Sequence, residues 1–419
     1  MSFLDGAVHH SVKKFIYDHG RQIKYFCDDA RDFCLAPFYF FRYREKVRKL
    51  HSQRKIKICF LVNSYAKWCV QPLFDELKKN DRFEIVVLVT LADIQRWMTA
   101  GEKRNELLYN LELFRKHVAP QSLPAYDIDT DRFLPLDSFS PDIVVYQQPW
   151  DIFPCQNVKA TGKYALTLYF PYGFLLIKTD FHYRRQWHAF LWKYFLDIPE
   201  NVRRLERQTS AAKRNCVFYG YPKVCIKYKG RESSPRPLIV YTPHWSIGEF
   251  STFYWSYKKI IDLAKNHPRF DWVFRPHPTL RSALEKDARL SDEEIESFYG
   301  FWKERAISGQ VDIEKYFYAS SIMISDSVSY LGEYLMTANP VIHLCNPDSL
   351  LLLNPAGQKI ADCYYAVYSE EELEKTFSAL MLENKDPLKT RREKYAKIFA
   401  DYHQDAPRRI VSYLEKELF

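Results

Sequence analysis

The sequence lacks the glycine motifs that mark the commonest nucleotide-binding loops. Only 12 of its 419 residues are glycine. They form neither a G-x-x-x-x-G-K-[ST] phosphate loop nor a G-x-G-x-x-G turn. The first absence argues against a P-loop ATPase, and the second argues against a dinucleotide-dependent dehydrogenase.

Paired cysteines and long apolar runs are missing as well. The nine cysteines stand singly, without a C-x-x-C pair, so no zinc or redox motif is predicted and a reducing compartment is favoured. No stretch approaches about 20 uncharged apolar residues, so we expect neither a secretory signal nor a transmembrane helix. The sequence therefore predicts a cytoplasmic protein, or one lying on the cytoplasmic face of the inner membrane.

A metal site is not predicted either. The run 127–131 carries three aspartates and resembles a carboxylate cluster. Arg132 and Ser138 stand where a calcium loop would need glycine and glutamate. A polar loop is the better interpretation, and we expect no metal and no cofactor.

What the chain has in excess is aromatic residues and positive charge. Aromatics make up 16% of the residues and the net charge is +9, which suits an anionic partner. In the N-terminal segment 1–55, the stretch 38–50 sets rings beside Lys and Arg, as a peripheral membrane contact would require. The alternative is a basic helix that leads into the first strand.

Strand-like and helix-like segments alternate along the rest of the chain, which indicates an α/β fold with parallel sheets. The first series predicts an N-terminal Rossmann-like acceptor domain over 56–190. A region at 191–236, ending in the polar and proline-bracketed stretch 231–237, is predicted to be a linker. The pattern restarts at 238 and predicts a second Rossmann-like domain, for the nucleotide donor, over 237–370. Residues 371–419 are predicted to be helical, and the last helix is expected to pack across the first domain.

Three polar turns follow strands of the second domain. His244 follows the strand 238–241, Arg275 and His277 follow 270–274, and the turn that begins at Asp326 follows 322–324. Ligands of an open parallel sheet bind outside the carboxyl ends of its strands. We therefore expect these three turns to form one pocket.

The first two turns carry the basic groups of this predicted pocket. In Arg275-Pro276-His277-Pro278, the prolines restrict the backbone around the imidazole, and the guanidinium is suited to phosphate. His277 can bind diphosphate oxygens and transfer a proton near neutral pH. His244 is predicted to be a base or a second phosphate contact. The alternatives are an incidental histidine at a strand end and, for His244, a structural role.

The third turn opens a helix, whose N-terminus offers N–H groups and hydroxyls to a phosphate. Ser327 and Ser329 are predicted to bind phosphate, and helix capping is the alternative. Asp326 is predicted to orient a histidine or to bind a ribose or polyol hydroxyl. Glu333, about two turns further along, is predicted to grip ribose hydroxyls; a solvent-facing helix residue is the alternative.

Two turns of the first domain should face this pocket. Asp151 lies in the turn after 142–146, and Tyr172 and Gly173 lie in the turn after 166–170. We predict that these three residues bind the acceptor, and that Gly173 permits a bend. Ordinary turn residues are the alternative.

The segments Arg275–Pro278, Ser325–Leu335 and Asn339–Ile342 resemble the CDP-glycerol glycerophosphotransferase family, which includes teichoic-acid and capsule polymerases. The resemblance covers about 238–345. It implies a GT-B fold, with two Rossmann-like domains facing a cleft, and places Arg275, His277, Asp326, Ser327 and Glu333 on the donor nucleotide and its diphosphate. The family carries a His-Gly pair in the first-domain cleft loop, where this chain has Tyr172-Gly173. This departure leaves the general base and the donor open.

The resemblance implies transfer of glycerol phosphate, or a related polyol phosphate, from a CDP-activated donor. The acceptor would be a hydroxyl of a cell-surface polysaccharide or a lipid-linked primer. The alternative within the enzymes is a glycosyltransferase that uses another nucleotide-diphosphate donor, a nucleotide sugar. The alternative of another class is a non-catalytic protein that binds an anionic polymer. Nucleic acid is not expected as a partner, because the polar turns do not form a basic stripe with aromatic platforms.

Overall fold

The computed structural model describes residues 30, 34–148, 150–178, 187–208, 211–224, 236–247, 251–287, 289–305 and 313–419. The predicted N-terminal segment is described only from residue 34, apart from residue 30. Most of the predicted linker stretch 231–237 lies outside the described residues.

A seven-stranded parallel sheet forms the first domain, in the order β3-β2-β1-β6-β7-β8-β9. Its central strands are buried runs rich in Val, Ile and Leu, typical of a parallel sheet covered on both faces. A two-stranded antiparallel hairpin, β4-β5, lies beside it. The strands are β1 Ile56–Val62, β2 Phe83–Val89, β3 Leu123–Pro124, β4 Tyr126–Asp127, β5 Arg132–Phe133, β6 Ile143–Tyr146, β7 Leu166–Tyr169, β8 Lys193–Phe195 and β9 Cys216–Val217.

A five-stranded parallel sheet forms the second domain, in the order β11-β10-β12-β13-β14. The strands are β10 Leu238–Thr242, β11 Asp271–Phe274, β12 Ile322–Ser325, β13 Val341–Leu344 and β14 Tyr365–Val367. The two sheets confirm the predicted α/β fold with two Rossmann-like domains.

Helices cover the faces of both sheets. In the first half of the chain they span 34–50, Gln71–Leu77, Ala100–His117, Val158–Thr161, Pro199–Gln208 and Ala212–Asn215. In the second half they span Phe253–Asn266, Leu280–Asp287, Asp292–Trp302, Ile313–Ala319, Val328–Leu335, Pro355–Ala361, Glu370–Met381, Lys389–His403 and Ala406–Leu418. Short 3₁₀ helices span Tyr65–Lys67, Asp93–Trp97, Leu136–Phe139, Pro154–Gln156, His188–Phe190 and Pro222–Val224.

The first sheet extends beyond residue 190, where its predicted domain ended. Strands β8 and β9 add to its edge from within the region predicted to be a linker. They are only three and two residues long, which is too short to give a periodic signal. The helix Ala406–Leu418 also belongs to this half, because Ile410, Leu414 and Leu418 are buried in the first core.

The helix 34–50 is anchored to the first domain by its aromatic residues. Tyr39 and Tyr43 are buried in the first core. The Tyr39 hydroxyl donates to the Lys159 carbonyl at 2.9 Å, and the Tyr43 hydroxyl lies 2.9 Å from the Thr167 hydroxyl. Part of the aromatic stretch predicted to touch a membrane therefore packs inside the protein.

The segment 174–178 connects the two domains. It follows β7 of the first domain, yet Phe174 and Leu176 are buried in the core of the second. Backbone hydrogen bonds join Lys178 N–H to the Leu352 carbonyl at 2.7 Å and Asn354 N–H to the Leu176 carbonyl at 2.8 Å. The loop that precedes this segment is thereby held beside the second domain.

None of the helices in the described ranges is both long and apolar enough to cross a membrane.

Candidate active site at the carboxyl ends of the two sheets

Each sheet has one place where the order of its strands reverses. In the first sheet β1 lies beside β6, and in the second β10 lies beside β12. Loops from neighbouring strands diverge at such a point and leave a crevice in which ligands of open α/β sheets bind. Asn63 and Gln147 follow the two strands of the first pair, while Pro243 and Asp326 follow those of the second. His244 and Asp326 lie at the second crevice, and His277 lies beside His244.

Asp326 connects the two loops of the second crevice. One of its carboxylate oxygens accepts the His244 backbone N–H at 2.7 Å, and the other accepts the Thr252 hydroxyl at 2.7 Å. Both oxygens therefore have partners within the protein. Asp326 therefore positions His244 through the backbone of that residue, and the predicted contact with a ribose or polyol hydroxyl stays a prediction.

The two predicted histidines lie together, with ring centroids 5.5 Å apart. Nδ1 of His244 accepts the Ser246 N–H at 3.2 Å, and Nδ1 of His277 accepts the Thr279 N–H at 3.3 Å. A backbone N–H can only donate, so each neutral ring carries its proton on Nε2. In this state both rings offer an N–H donor to a ligand, and neither offers a free basic nitrogen.

Burial and nearby positive charge keep His277 neutral. Burial comes first, followed by His244, Arg275 and Lys67, and together they lower the pKa of His277 to about 4. Burial also lowers the pKa of His244. Of these neighbours, Lys67 belongs to the first domain. Lys67 is therefore on the side of the first domain that lies toward His277.

Arg275 is half-buried beside this histidine pair. Its backbone N–H donates to the Tyr241 carbonyl at 2.9 Å, which holds the Arg275–Pro278 turn against β10. Trp245, whose side chain is 46% exposed, lies 6.1 Å from the His277 ring. The second crevice thus combines a cation, two imidazole donors and an open aromatic face. Trp245 was not among the site residues predicted from the sequence.

Ser327 stands at the N-cap of the helix Val328–Leu335, but its hydroxyl makes no capping hydrogen bond. Its backbone N–H donates to the Ser325 hydroxyl at 2.9 Å. Ser329 lies in the first helical turn, where a Cβ built on Gly173 would be 3.5 Å from the Ser329 Cβ. The N-terminus of this helix therefore faces the first-domain loop that carries Gly173.

Glu333 is buried rather than solvent-facing, with a side chain 2% exposed. Both of its oxygens lie 2.8 Å from the Lys223 ammonium, and Glu314 approaches the same ammonium at 3.3 Å. Two carboxylates share one cation, and burial raises the pKa of Glu333 to about 7. The predicted grip on ribose hydroxyls stays a prediction, and in this structure the carboxylate binds Lys223 instead.

The first-domain residues predicted to bind the acceptor have different surroundings. Asp151 has a positive φ of 56°, and its carboxylate accepts the Ile94 N–H at 2.9 Å, so it holds a neighbouring turn. Tyr172 is 40% exposed, and its ring centroid lies 6.1 Å from that of Trp150. Of these three residues, Gly173 lies against Ser329 of the second domain, and its neighbour Tyr172 presents an exposed ring.

Lys67 is a candidate site residue that was not predicted from the sequence. It lies in the 3₁₀ turn Tyr65–Lys67, directly after β1, and is half-buried. Burial lowers the pKa of its ammonium group. A lone lysine in a turn carries no motif, and only the fold places it opposite His277.

Within the described ranges, no group of three or more His, Cys, Asp or Glu side chains is arranged to hold a metal ion.

Solved structures share this fold. UDP-GlcNAc 2-epimerase from Neisseria meningitidis bound to UDP-GlcNAc matches with a TM-score of 0.55 and 16% identity, over 86% of this chain and 100% of that chain. S. aureus MnaA in complex with UDP matches with a TM-score of 0.54 and 14% identity, over 87% and 98%. A putative UDP-N-acetylglucosamine 2-epimerase from Listeria monocytogenes gives 0.53 and 15%, over 86% and 96%.

At these identities the likeness shows the fold, and it confirms the predicted GT-B-like architecture. No protein-family model matches the chain, and no curated protein matches its sequence. The resemblance to the CDP-glycerol glycerophosphotransferase family therefore stays a prediction.

Proposed function

We propose that this protein is an enzyme that binds a nucleoside-diphosphate-activated donor and transfers the activated group to a hydroxyl. One observation carries the proposal: His244, His277 and Arg275 meet the N-terminus of the helix Val328–Leu335 at the strand reversal of the second sheet. Imidazole N–H donors, a guanidinium and free helical N–H groups are the partners that a diphosphate needs. Lys67 adds a cation from the facing domain.

A nucleotide sugar is the donor that we favour. The chain shares its fold with proteins solved with UDP-GlcNAc or UDP, which supports this class of donor without identifying it. Trp245 offers a flat face on which a base or sugar could pack. The alternative of a non-catalytic polymer-binding protein gains no support, because the basic groups line a crevice rather than an open stripe.

In this reaction, the acceptor oxygen forms a bond to the anomeric carbon while the bond from that carbon to the phosphate oxygen breaks. The electron pair leaves on the nucleoside diphosphate, and the acceptor proton passes to solvent or to a base. Arg275 and the two Nε2–H donors stabilise the negative charge that develops on the leaving group. With both Nε2 atoms protonated, we assign His244 and His277 to charge stabilisation and leave the general base open.

A CDP-polyol donor is the second candidate. The resemblance of Arg275–Pro278 and Ser325–Leu335 to the CDP-glycerol glycerophosphotransferase family favours it. The acceptor hydroxyl would then attack the phosphorus that bears the polyol, and CMP would leave. The same cations would neutralise the transferred phosphoryl oxygens.

One experiment tests the proposal and separates the two donors. The protein is incubated with UDP-, GDP- and CDP-sugars and with CDP-glycerol, and the released nucleotide is identified by mass spectrometry. Release of a nucleoside diphosphate indicates glycosyl transfer, whereas CMP indicates phosphoryl transfer. If no UDP, GDP or CDP compound raises the melting temperature or is turned over, the proposal is wrong.

We also propose that the acceptor is held at a membrane, as a lipid-linked primer or a surface polysaccharide. On the helix 34–50, Leu35, Phe38 and Phe41 are 42%, 54% and 59% exposed, and Arg42 stacks over Phe38 at 4.9 Å. Exposed rings beside cations suit an anionic lipid surface. Sedimentation with vesicles containing phosphatidylglycerol should fall when Phe38 and Phe41 are both changed to serine. Equal sedimentation of the variant would contradict this contact.

A further inference from the structure

The crevice between β1 and β6 contains a small pocket that no predicted site residue lines. Its cavity volume is ≈ 10 Å³, and its lining includes Asn63, Ser64, Lys67, Gln147, Gln148 and Ile152. This volume is about what a single water-sized group such as a hydroxyl occupies, roughly 10–15 Å³. The pocket therefore suits one small polar part of a substrate rather than a whole nucleotide.

Two amide side chains of this pocket have an atom without a hydrogen-bond partner in the described structure. These atoms are Nδ2 of Asn63 and Oε1 of Gln148. Both residues are buried, with exposed fractions of 7% and 8%. A buried polar atom without a partner is unfavourable. Together these atoms supply one donor and one acceptor.

Gln147, next to Gln148 in the same loop, has hydrogen-bond partners for its side-chain carbonyl oxygen. Its Oε1 accepts the Cys69 N–H at 2.7 Å and the Cys69 thiol at 3.0 Å. One of the two consecutive glutamines thus anchors the loop, and the other keeps its carbonyl oxygen unused. Lys67 lines the same pocket, and its positive charge is close enough to His277 to lower the pKa of that ring.

We propose that this pocket is a subsite for a hydroxyl of the group attached to the nucleoside diphosphate, held by Asn63 and Gln148. A hydroxyl accepts one hydrogen bond and donates another, so it matches the free amide N–H and the free amide carbonyl. Lys67 lies between this subsite and the phosphate site. The ligand class is therefore a sugar or polyol carried on a diphosphate, and this inference rests on the proposed function.

Binding of matched ligand pairs tests the subsite. Affinities are measured by calorimetry for UDP and UDP-GlcNAc and for CDP and CDP-glycerol, with the wild-type chain, Gln148→Met and Asn63→Leu. We expect each variant to lose about tenfold in affinity for the conjugate bound by the wild type, as for one lost hydrogen bond. Affinity for the parent diphosphate should change less than about twofold.

The control is Gln404→Met, the same substitution at an exposed glutamine outside the cleft, which should leave all affinities unchanged. Gln148→Glu, which keeps an acceptor at this position, guards against a variant that fails to fold. It should retain more conjugate affinity than Gln148→Met.

The outcomes separate the two proposals. If the wild type binds the parent diphosphates and the variants bind the conjugates as tightly as it does, the pocket holds only solvent or an acceptor and the subsite is overturned. An equal loss for parent and conjugate would place the nucleotide in the pocket and would also overturn it. If the wild type binds none of the four compounds, the proposed function fails and the subsite fails with it.

Discussion

The two crevices of the cleft share the same strand topology but contain different side chains. Both lie where the strand order of a parallel sheet reverses, β1 beside β6 and β10 beside β12. The second-domain crevice contains a guanidinium, two imidazole donors and a helix N-terminus, held in place by Asp326. The first-domain crevice contains amides, aromatic rings and Lys67. The comparison teaches that a shared topology fixes where a ligand binds, while the side chains decide which part of it binds there.

The largest expected effect comes from the cation that supports the second crevice. Lys223→Met should destabilise the protein by about 3 kcal/mol or more, because it leaves Glu333 and Glu314 without their shared cation. The loss should shrink as the pH falls toward about 7, because burial raises the pKa of Glu333 to about 7 even beside Lys223, and without that cation the carboxyl is protonated at still higher pH, which removes the unpaired charge. Chemical denaturation at pH 8 and pH 5.5 measures this loss.

Lys359→Met is the matched control, because Lys359 pairs with Glu200 at 3.3 Å on the surface. It should change stability by less than about 1 kcal/mol. Equal effects of the two substitutions would mean that the buried triad does not support the second crevice.

Asp326→Ala should have the next largest effect. The carboxylate accepts both the His244 N–H and the Thr252 hydroxyl, so its removal should cost about 2 kcal/mol of stability. It should also weaken UDP or CDP binding, because the histidine loop loses its anchor. Thermal unfolding and calorimetry measure the two effects. Asp348→Ala, at an exposed loop position, should change neither, and a stable Asp326→Ala with unchanged affinity would contradict the positioning role.

Arg275→Ala tests the charge difference between the crevices without a large effect on stability. We expect affinity for the bound diphosphate to fall roughly tenfold to a hundredfold, as for one lost charged hydrogen bond. Arg275→Lys should recover part of the loss, because the charge remains but the planar fork is gone. Calorimetry with UDP and CDP provides the measurement. Arg305→Ala, at an exposed arginine, is the control, and an equal loss there would indicate a general charge effect.

The smallest expected effect is the acid response of His277. Its pKa is lowered to about 4, so the unfolded chain binds the extra proton first as the pH falls. The neutral histidine therefore contributes stability that is present above about pH 6.5 and is lost on the way to pH 4. His277→Gln should lose about 1 kcal/mol less than the wild type over this range, because solvent screening at the half-buried ring reduces the roughly 3 kcal/mol that the full pKa difference would give. Denaturation curves at pH 7 and pH 4.5 measure the difference, and His51→Gln, at an exposed site, should behave as the wild type.

The architecture and the position of the second crevice were predictable from the sequence. The buried runs of β10, β11 and β12 each end in a polar turn, and strand order places such turns at one edge. The short strands β8 and β9 were not predictable, because two or three residues carry no period. Lys223 and Lys67 were also missed, since each acts on a partner more than 100 residues away in sequence that only the tertiary fold brings close.

The roles of individual side chains were harder to predict than their positions. The aspartate at 326 and the glutamate at 333 lie beside the expected crevice, but their oxygens bind a backbone N–H, a threonine hydroxyl and a lysine. A sequence shows that a carboxylate follows a strand. It does not show whether a partner inside the protein has already used that carboxylate.

The crossing segment 174–178 has a consequence for motion. Because Phe174 and Leu176 are fixed in the second core, a rotation of one domain against the other would change the backbone just before them, at Pro171, Tyr172 and Gly173, as well as at the other places where the chain passes between the two cores. Those residues border the cleft, so one of the crossings between the domains lies at the mouth of the site. A change in the angle between the domains would then move Tyr172 at the mouth of the site.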